Sequence, residues 1–396
     1  MKKNVQSLNK NAKNDAITYA IVAACLVFCI VYSGLPSASS LIKGLFVPIC
    51  AYVIMALSLN LTVGILGELS LGHAGFMCLG AFVGSTFSIL TQDTLTNVWI
   101  RFPLALIIGG AVAAVAGLII GIPVLRLKGD YLAIVTLAFG EIIKNIVNNI
   151  YLIKDVNGVH FALGVDAYNA LELDAGTTQN IINGAMGITV GPRDSNYIVG
   201  FVLIFITLAV ILNLVHSRTG RAIMAIRDNR IAAESVGVNI TKYKLIAFII
   251  SAMFAGMAGV LYGHNLSSLV ASKFDYNLSI LILVFVVLGG IGSMRGSIIA
   301  ATILTALPEL LRGSFSDYRM LIYAILLIVM MLVNNNETMN MYKKRFLSKF
   351  HFGGKGGKAG HGKKAKAAAA EVAATATTEA SAEVATENVE GGADNE

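Results

Sequence analysis

Long stretches without a charged side chain are the feature that most constrains how this chain can fold. Asp, Glu, Lys and Arg are absent from residues 16–42, 44–67, 102–125, 195–217, 245–272 and 276–294. An α-helix rises about 1.5 Å per residue, so roughly 20 residues cross a hydrocarbon core of about 30 Å. Backbone groups find no water inside a bilayer and must pair within the helix. These stretches therefore predict several membrane-spanning helices.

Composition argues against a soluble protein and against nucleic-acid binding. Of the 396 residues, 56% are hydrophobic and only 13% are charged, whereas soluble domains carry about 25% charged residues. The net charge of +7 comes from short basic segments between apolar runs, and such segments orient membrane proteins. We expect no disulfide framework and no metal site, because the cysteines lie in apolar runs and no pair has metal-ligand spacing. They are Cys25, Cys29, Cys50 and Cys78.

The hydrophobic pattern predicts an all-α fold, a polytopic bundle of about ten transmembrane helices. We place these near residues 16–34, 44–63, 70–90, 103–125, 130–150, 196–216, 245–264, 276–292, 297–311 and 320–333. Basic residues concentrate in alternate connecting segments, near 2–13, 126–128, 218–244, 295 and 343–349. Lys and Arg mark the cytoplasmic side of a membrane protein. Both termini are therefore expected in the cytoplasm.

The same pattern divides the chain into regions. Residues 1–15 are predicted to form a cytoplasmic N-terminal segment and residues 16–350 the transmembrane region. That region contains an external loop at 151–195 and a cytoplasmic loop at 217–244. Residues 351–396 begin Gly/Lys-rich and continue as Ala/Glu/Thr low complexity. Such a segment buries too little apolar surface to offset the entropy of ordering, so we expect a disordered cytoplasmic tail.

The cytoplasmic loop contains the signals of a short helix. Asn229 can cap a helix over roughly 230–236, and Gly237 can end it in the left-handed conformation. A helix of two turns is not stable alone and needs something to pack against. Two interpretations stay open on the residues alone: a helix that packs against a partner protein, or an amphipathic helix that its arginines hold on the lipid headgroups.

Four segments resemble the permeases of branched-chain amino-acid ABC transporters. The first is Ala-Ala-Glu-Ser-Val-Gly at 232–237, with Thr-Gly-Arg-Ala-Ile before it and Tyr-Lys-Leu-Ile-Ala-Phe after it. The others lie at 64–76, 127–143 and 288–297. They occur in the family's order across roughly 44–333. The chain departs from the pattern at about 154–180, which looks like an insertion, and in the tail.

The resemblance implies a set of partners and a coupling site. The expected partners are a second permease, two cytoplasmic ABC ATPase subunits, an external solute-binding protein and the lipid of a bacterial inner membrane. The loop would then carry the ATPase-coupling residues, which are Arg227, Ala232, Ala233, Glu234 and Gly237. No G-x-x-x-x-G-K-[ST] run occurs in the chain, so we expect ATP hydrolysis on the partner subunits. Neither catalytic residues nor cofactors are predicted in this chain.

Polar residues inside the predicted helices are candidates for a translocation pathway: Ser70, His73, Glu141 and Asn145. Glycines and Ser70 could break the junction between the second and third helices, and a helix N-terminus aimed into the bundle favours a substrate carboxylate. His73, predicted about one turn into the third helix, could instead be a packing histidine. Glu141 lies about 16 Å along its helix from Asp130. An acid at that depth faces an interior or water, unless it only pairs with Lys144, three residues on.

Two other classes compete with an ABC permease. A gradient-driven secondary transporter or channel, for a small solute such as urea or an amide, would also lack an ATP loop. It has no need of a cytoplasmic coupling helix, so the loop at 217–244 speaks against it. A membrane-embedded enzyme would need a cluster such as H-x-x-x-H, which does not occur in the chain.

Overall fold

The computed structural model describes most of the chain up to residue 311. The described residues are 2–35, 39–127, 129–155, 158–169, 179–189, 191, 193–311 and isolated positions between 321 and 328. Eight helices in this part are long and apolar enough to cross a membrane. The all-α polytopic fold is therefore confirmed. The predicted tenth helix at 320–333 and the tail at 351–396 lie largely or wholly outside the described residues.

Most membrane helices begin and end close to the predicted positions, but α1 begins at Lys2 and so includes the predicted N-terminal segment. The described helices are α1 (Lys2–Gly34), α2 (Ser40–Asn60), α3 (His73–Leu90), α4 (Val98–Val124), α5 (Asp130–Asn148), α6 (Val165–Asn169), α7 (Tyr197–His216), α8 (Arg218–Asp228), α9 (Arg230–Ser235), α10 (Ile240–Gly263), α11 (Tyr276–Gly289) and α12 (Met294–Leu310). The predicted helix near 297–311 corresponds to α12, which packs beside α2 and α11.

Glycines bring α3, α4 and α10 into close contact. A Cβ atom added at Gly80 would lie 2.0 Å from the Gly256 carbonyl oxygen, and one added at Gly256 would lie 2.3 Å from the Ala113 side chain. A Cβ added at Gly259 would lie 2.0 Å from the Met77 carbonyl oxygen. Small residues let helix backbones approach closely inside a membrane, where no hydrophobic force drives helices together. These three helices form the centre of the bundle.

The second and third predicted helices are joined by a break. The helix of α2 continues as a π-helix over Leu61–Leu66, called the π-segment below, and ends at Gly67 with φ +81°. Residues 67–72 are not helical, and α3 begins at His73, which is fully buried. The predicted start of this helix near residue 70 was therefore wrong. α3 begins only at His73 because residues 67–72 run past α5 in a non-helical conformation, with the Leu71 N–H bonded to Thr136 Oγ1.

The two ends of the bundle are distinct. At one end, called the basic end, Asp15 meets His216, Thr18 meets Arg295 and Glu68 pairs with Lys244. At the other end, called the sheet end, Arg101 and Asp194 form a buried ion pair of 2.5 Å. An exposed pair, Lys154 with Asp93 at 2.6 Å, also lies there. The hydrogen bond from the Lys154 ammonium holds the pKa of the Asp93 carboxyl below its usual range.

A small β-sheet at the sheet end was not predicted. Its strands are β1 (Ile150–Asp155), β2 (Gly158–Leu163) and β3 (Gln179–Asn183), in the order β2-β1-β3. Both pairings are antiparallel, with a register shift between Leu152 and Ile153 where β1 meets β3. The sheet occupies the part of the loop that departs from the family pattern. It gives the predicted external loop a defined structure beside the end of α5.

Candidate functional site

The helix α9 has the capping geometry that the sequence predicted. The Asn229 side chain accepts a hydrogen bond from the backbone N–H of Ala232 at 3.1 Å. At the other end Gly237 has φ +82°. Its N–H donates to the Glu234 carbonyl, and the Val238 N–H donates to the Ala233 carbonyl. These two bonds form a Schellman motif, which ends the helix with its last carbonyls satisfied. Both predicted caps are confirmed.

Ala233 lies on the inner face of α9. It is 4% exposed and packs with Ile226 of α8 and Ile240 of α10 in a small hydrophobic cluster. Ala233 thus holds α9 to its own chain, which differs from the predicted direct contact with an ATPase. The sequence could not separate these roles because both need a small residue. Ala232 and Glu234 are exposed.

The outer face of α9 presents two apolar side chains that the sequence reasoning missed. Ile231 is 80% exposed and Val236 is 77% exposed. Both flank the predicted residues Ala232 and Glu234, and none of the four packs into the chain. Apolar side chains grouped on an otherwise polar surface mark an interaction site. The useful signal in the sequence was an aliphatic residue at each end of a short helix that buries only one alanine.

Arg227 turns back toward the membrane region. Its Nη1 donates to the Gly64 carbonyl oxygen at 2.8 Å, and Nη2 lies 3.2 Å from the Asp228 carboxylate. The side chain is 39% exposed. Beside it, the buried Lys244 ammonium pairs with Glu68, just after the π-segment. Two cations from the loop region therefore contact the broken junction between α2 and α3.

His73 belongs to a saturated hydrogen-bond network. Ser251 Oγ lies 2.5 Å from the Ser58 carbonyl oxygen, so the hydroxyl donates its proton there. The same oxygen accepts from Thr62 Oγ1 at 2.9 Å. His73 Nε2 lies 2.8 Å from it and must donate, because the hydroxyl proton is already used. Nδ1 of His73 is left to accept from Ser70 Oγ at 3.5 Å. This geometry supports the packing role for His73 and Ser70.

Glu141 lies where two helices begin. Its Oε1 accepts from the first N–H of α11, that of Tyr276, at 3.2 Å, and Lys144 pairs with its other oxygen. The first turn of α3 is adjacent, since the Ala74 N–H donates to Ser279 Oγ at 3.0 Å. Leu71, Gly140 and Phe274 complete the walls of this cleft, which is too narrow for a water molecule. Glu141 thus has the predicted Lys144 partner and also faces two helix N-termini.

Asn145 lies apart from this cleft, on the outer stripe of α5. The exposed side chains of α5 are mostly apolar, as on α4: Tyr131, Ile134, Ala138, Ile142, Asn145 and Ile146. Asn145 is the exposed amide among them, near the end of the helix. Polar groups are costly against lipid, so Asn145 calls for a protein, headgroup or aqueous neighbour.

A cavity of about 250 Å³ lies elsewhere, between α1, α2, α7 and α12. Its walls are apolar side chains and Thr302, whose hydroxyl donates to the Ile298 carbonyl at 2.8 Å. This chemistry does not suit a charged solute. Across the described ranges, no group of three or more His, Cys, Asp or Glu side chains is placed to hold a metal ion.

Comparison with known proteins places the chain in a family. Residues 41–331 match the family described as branched-chain amino acid transport system / permease component. The high-affinity branched-chain amino acid transport system permease protein LivM of Salmonella typhimurium is 38% identical over 288 residues, which cover 71% of this chain and 66% of that protein. LivM of Escherichia coli is 37% identical over 288 residues, with the same coverage. The match thus spans just under two thirds of the length of these LivM proteins.

A sugar permease is also related to the chain. The ribose import permease protein RbsC of Escherichia coli is 29% identical over 252 residues, covering 61% of this chain and 70% of RbsC. No solved structure matches the chain. The family match covers more than half of the sequence and includes α9, the π-segment and α5. Its members are transport subunits, not enzymes. The protein is therefore a multi-pass membrane protein that belongs to the branched-chain amino acid transport permease family.

Proposed function

We propose that the chain is the permease subunit of an ATP-driven importer in a bacterial inner membrane, and that α9 is its contact with the ATPase subunits. The observation that carries the proposal is the outer face of α9. Ile231 and Val236 are both more than three quarters exposed at the basic end. Two caps and the Ala233 cluster hold this small helix in place. A small helix that is held in place and exposes apolar side chains is suited to fill a cleft on a partner protein.

The remaining partners follow from the two other surfaces. Asn145 on α5 needs a neighbour more polar than lipid, and a second permease there would place Asn145 and Glu141 beside a shared pathway. The sheet end, with β1–β3, would face the exterior and meet a solute-binding protein. This orientation puts the basic end in the cytoplasm, in keeping with the distribution of Lys and Arg.

Branched-chain amino acids are the proposed solute class. The LivM relatives carry this substrate in their names. The cleft at Glu141 does not choose between solutes, because it is too narrow for a water molecule and the N–H groups beside it already donate to Ser279 and Glu141. Ribose, the substrate named for RbsC, carries no charge.

Reconstitution tests this function directly. The chain is co-purified with the second permease and ATPases from the same organism and placed in proteoliposomes with the binding protein outside. We expect ATP-dependent leucine uptake that excess isoleucine inhibits and ribose does not, and no ATP hydrolysis by the chain alone. Uptake driven by an ion gradient without ATP would support the secondary-transporter class instead. Inhibition of uptake by ribose but not by isoleucine would favour a sugar over branched-chain amino acids as the solute.

Orientation is tested separately in intact cells. Single cysteines are placed at Val159 and Ile231, which are 51% and 80% exposed at opposite ends of the bundle. A membrane-impermeant maleimide should label position 159 in intact cells and position 231 only after permeabilisation. The reverse pattern would put α9 outside and remove the coupling proposal.

A further inference from the structure

The π-segment and Arg227 make an unusually close contact at the basic end. Arg227 Nη1 donates to the Gly64 carbonyl at 2.8 Å. Its aliphatic stem covers Gly67, where an added Cβ would lie 2.5 Å from Arg227 Cγ. Because Gly67 also has φ +81°, only glycine fits both the turn and the stem. The last carbonyls of a helix lack partners within the helix, and here the guanidinium supplies one.

The opposite side of the π-segment contacts the turn between α11 and α12. A Cβ added at Gly64 would lie 2.4 Å from the Gly292 nitrogen. The Gly292 N–H donates to Asn60 Oδ1 at 2.9 Å, and Asn60 Nδ2 donates to Ser297 Oγ at 3.0 Å. The π-segment is thus held between Arg227 on one side and α12 on the other. π-Helical turns inside helices are often found at functional sites.

The π-segment also reaches the start of α3. Thr62 Oγ1 bonds to Ser251, which bonds in turn to His73, the first residue of α3. The cleft beside Glu141 lies immediately beyond, since Ala74 binds Ser279 in its wall. A displacement of the π-segment would therefore reach the cleft through hydrogen bonds of 3.0 Å or less.

At its other end, Arg227 is attached to α9. It is two residues from Asn229, the residue that caps α9, and it follows Ile226, which packs on Ala233. The α8–α9 corner should move as one piece. Resting on the proposed ATPase contact, we propose that Arg227 is a positioning residue that transmits displacement of α9 to the π-segment and so to the intramembrane cleft. Its function is then an intrachain contact, distinct from the outer face of α9.

The experiment uses the reconstituted importer and measures ATP hydrolysis and solute uptake on the same vesicles. Arg227→Met keeps an unbranched apolar stem over Gly67 and removes the guanidinium. We expect uptake per ATP to fall about tenfold, the factor for losing one hydrogen bond to a charged group, with hydrolysis nearly unchanged. The matched control is Arg221→Met on the same helix, because Arg221 bonds only locally to the His216 carbonyl at 3.1 Å among the described contacts. Its uptake per ATP should stay at the wild-type value.

The outcomes separate this inference from the proposed function. An unchanged uptake per ATP in Arg227→Met overturns the inference, as does loss of the ATPase subunits from the complex, which would make Arg227 a direct docking residue. If Arg227→Met does not fold, Arg227→Lys decides, because a lysine keeps the charge without the planar fork. Its uptake per ATP should fall below the wild-type value, and an unchanged ratio overturns the inference. Absence of ATP-driven uptake in the wild-type complex would instead reject the proposed function.

Discussion

The outer face of α9 allows a quantitative test of the ATPase contact. Replacing Ile231 and Val236 together by serine removes two apolar side chains that are 80% and 77% exposed. Burying a whole aliphatic side chain contributes about 1.5–3 kcal/mol. With about four fifths of each side chain free to be covered, the pair should contribute about 2–5 kcal/mol. Ordering of side chains at the interface offsets part of this gain, so we expect the lower end of that range.

At about 1.4 kcal/mol per factor of ten, the lower end corresponds to roughly 30- to 100-fold weaker binding. The assay is the affinity of purified ATPase subunits for the permease in nanodiscs, with thermal unfolding of the variant as a check on folding. Val159→Ser is the control, because Val159 is a half-exposed valine on β2 at the opposite end. Equal affinity of the double variant and the wild type would refute the reasoning. It would favour an α9 that lies on lipid headgroups instead.

The other predictions concern stability and the end of α9. Gly256→Leu should overpack the helix crossing and destabilise the protein by about 1–3 kcal/mol or more. The control is Gly44→Leu, which has no neighbour within 4 Å of its added Cβ and should leave the thermal unfolding temperature unchanged. Equal unfolding temperatures of the two variants would contradict the packing argument. Asp194→Asn leaves the buried Arg101 without its ion-pair partner and should lower the free energy of unfolding by about 3–5 kcal/mol. In the same assay, Asp93→Asn at the exposed pair should lower it by about 0–1 kcal/mol. Similar losses would show that burial does not decide the strength of these ion pairs. Gly237→Val should destabilise the turn by about 1–2 kcal/mol, because position 237 has a positive φ, and should lower ATP-dependent uptake. Asparagine tolerates this conformation, so Gly237→Asn should retain uptake. Full uptake by the valine variant would contradict a role for this turn in coupling.

Local signals in the sequence were enough to predict α9 and most membrane helices. Asn229 and Gly237 act on the backbone within three or four residues, so their geometry depends on little else. The charge-free stretches report directly on the hydrocarbon core. The predictions that held are therefore those in which one physical effect dominates over a short stretch of chain.

Contacts between distant residues could not be read in the same way. The start of α3 depends on the unwound backbone at 67–72, where the Leu71 N–H bonds to Thr136 Oγ1 at 3.0 Å. The inward face of Ala233 depends on Ile226 and Ile240. The sheet formed by β1, β2 and β3 depends on strand pairing across a loop whose sequence has no strict alternation of apolar and polar residues. Each outcome is set by partners far along the chain, which one sequence does not identify.

The glycine packing of the central helices has a mechanical consequence for α5. α3, α4 and α10 are too closely packed to slide past one another, so they form a frame. α5 rests on this frame at a crossing where an added Cβ at Gly75 would lie 2.8 Å from the Gly140 α-carbon. That crossing would act as a fulcrum. A tilt of about 10° would displace the end of α5 near Asp130, about 15 Å away, by roughly 2.6 Å. Glu141, next to the fulcrum, would hardly move, so its hydrogen bond to the start of α11 would survive a tilt that displaces both ends of α5.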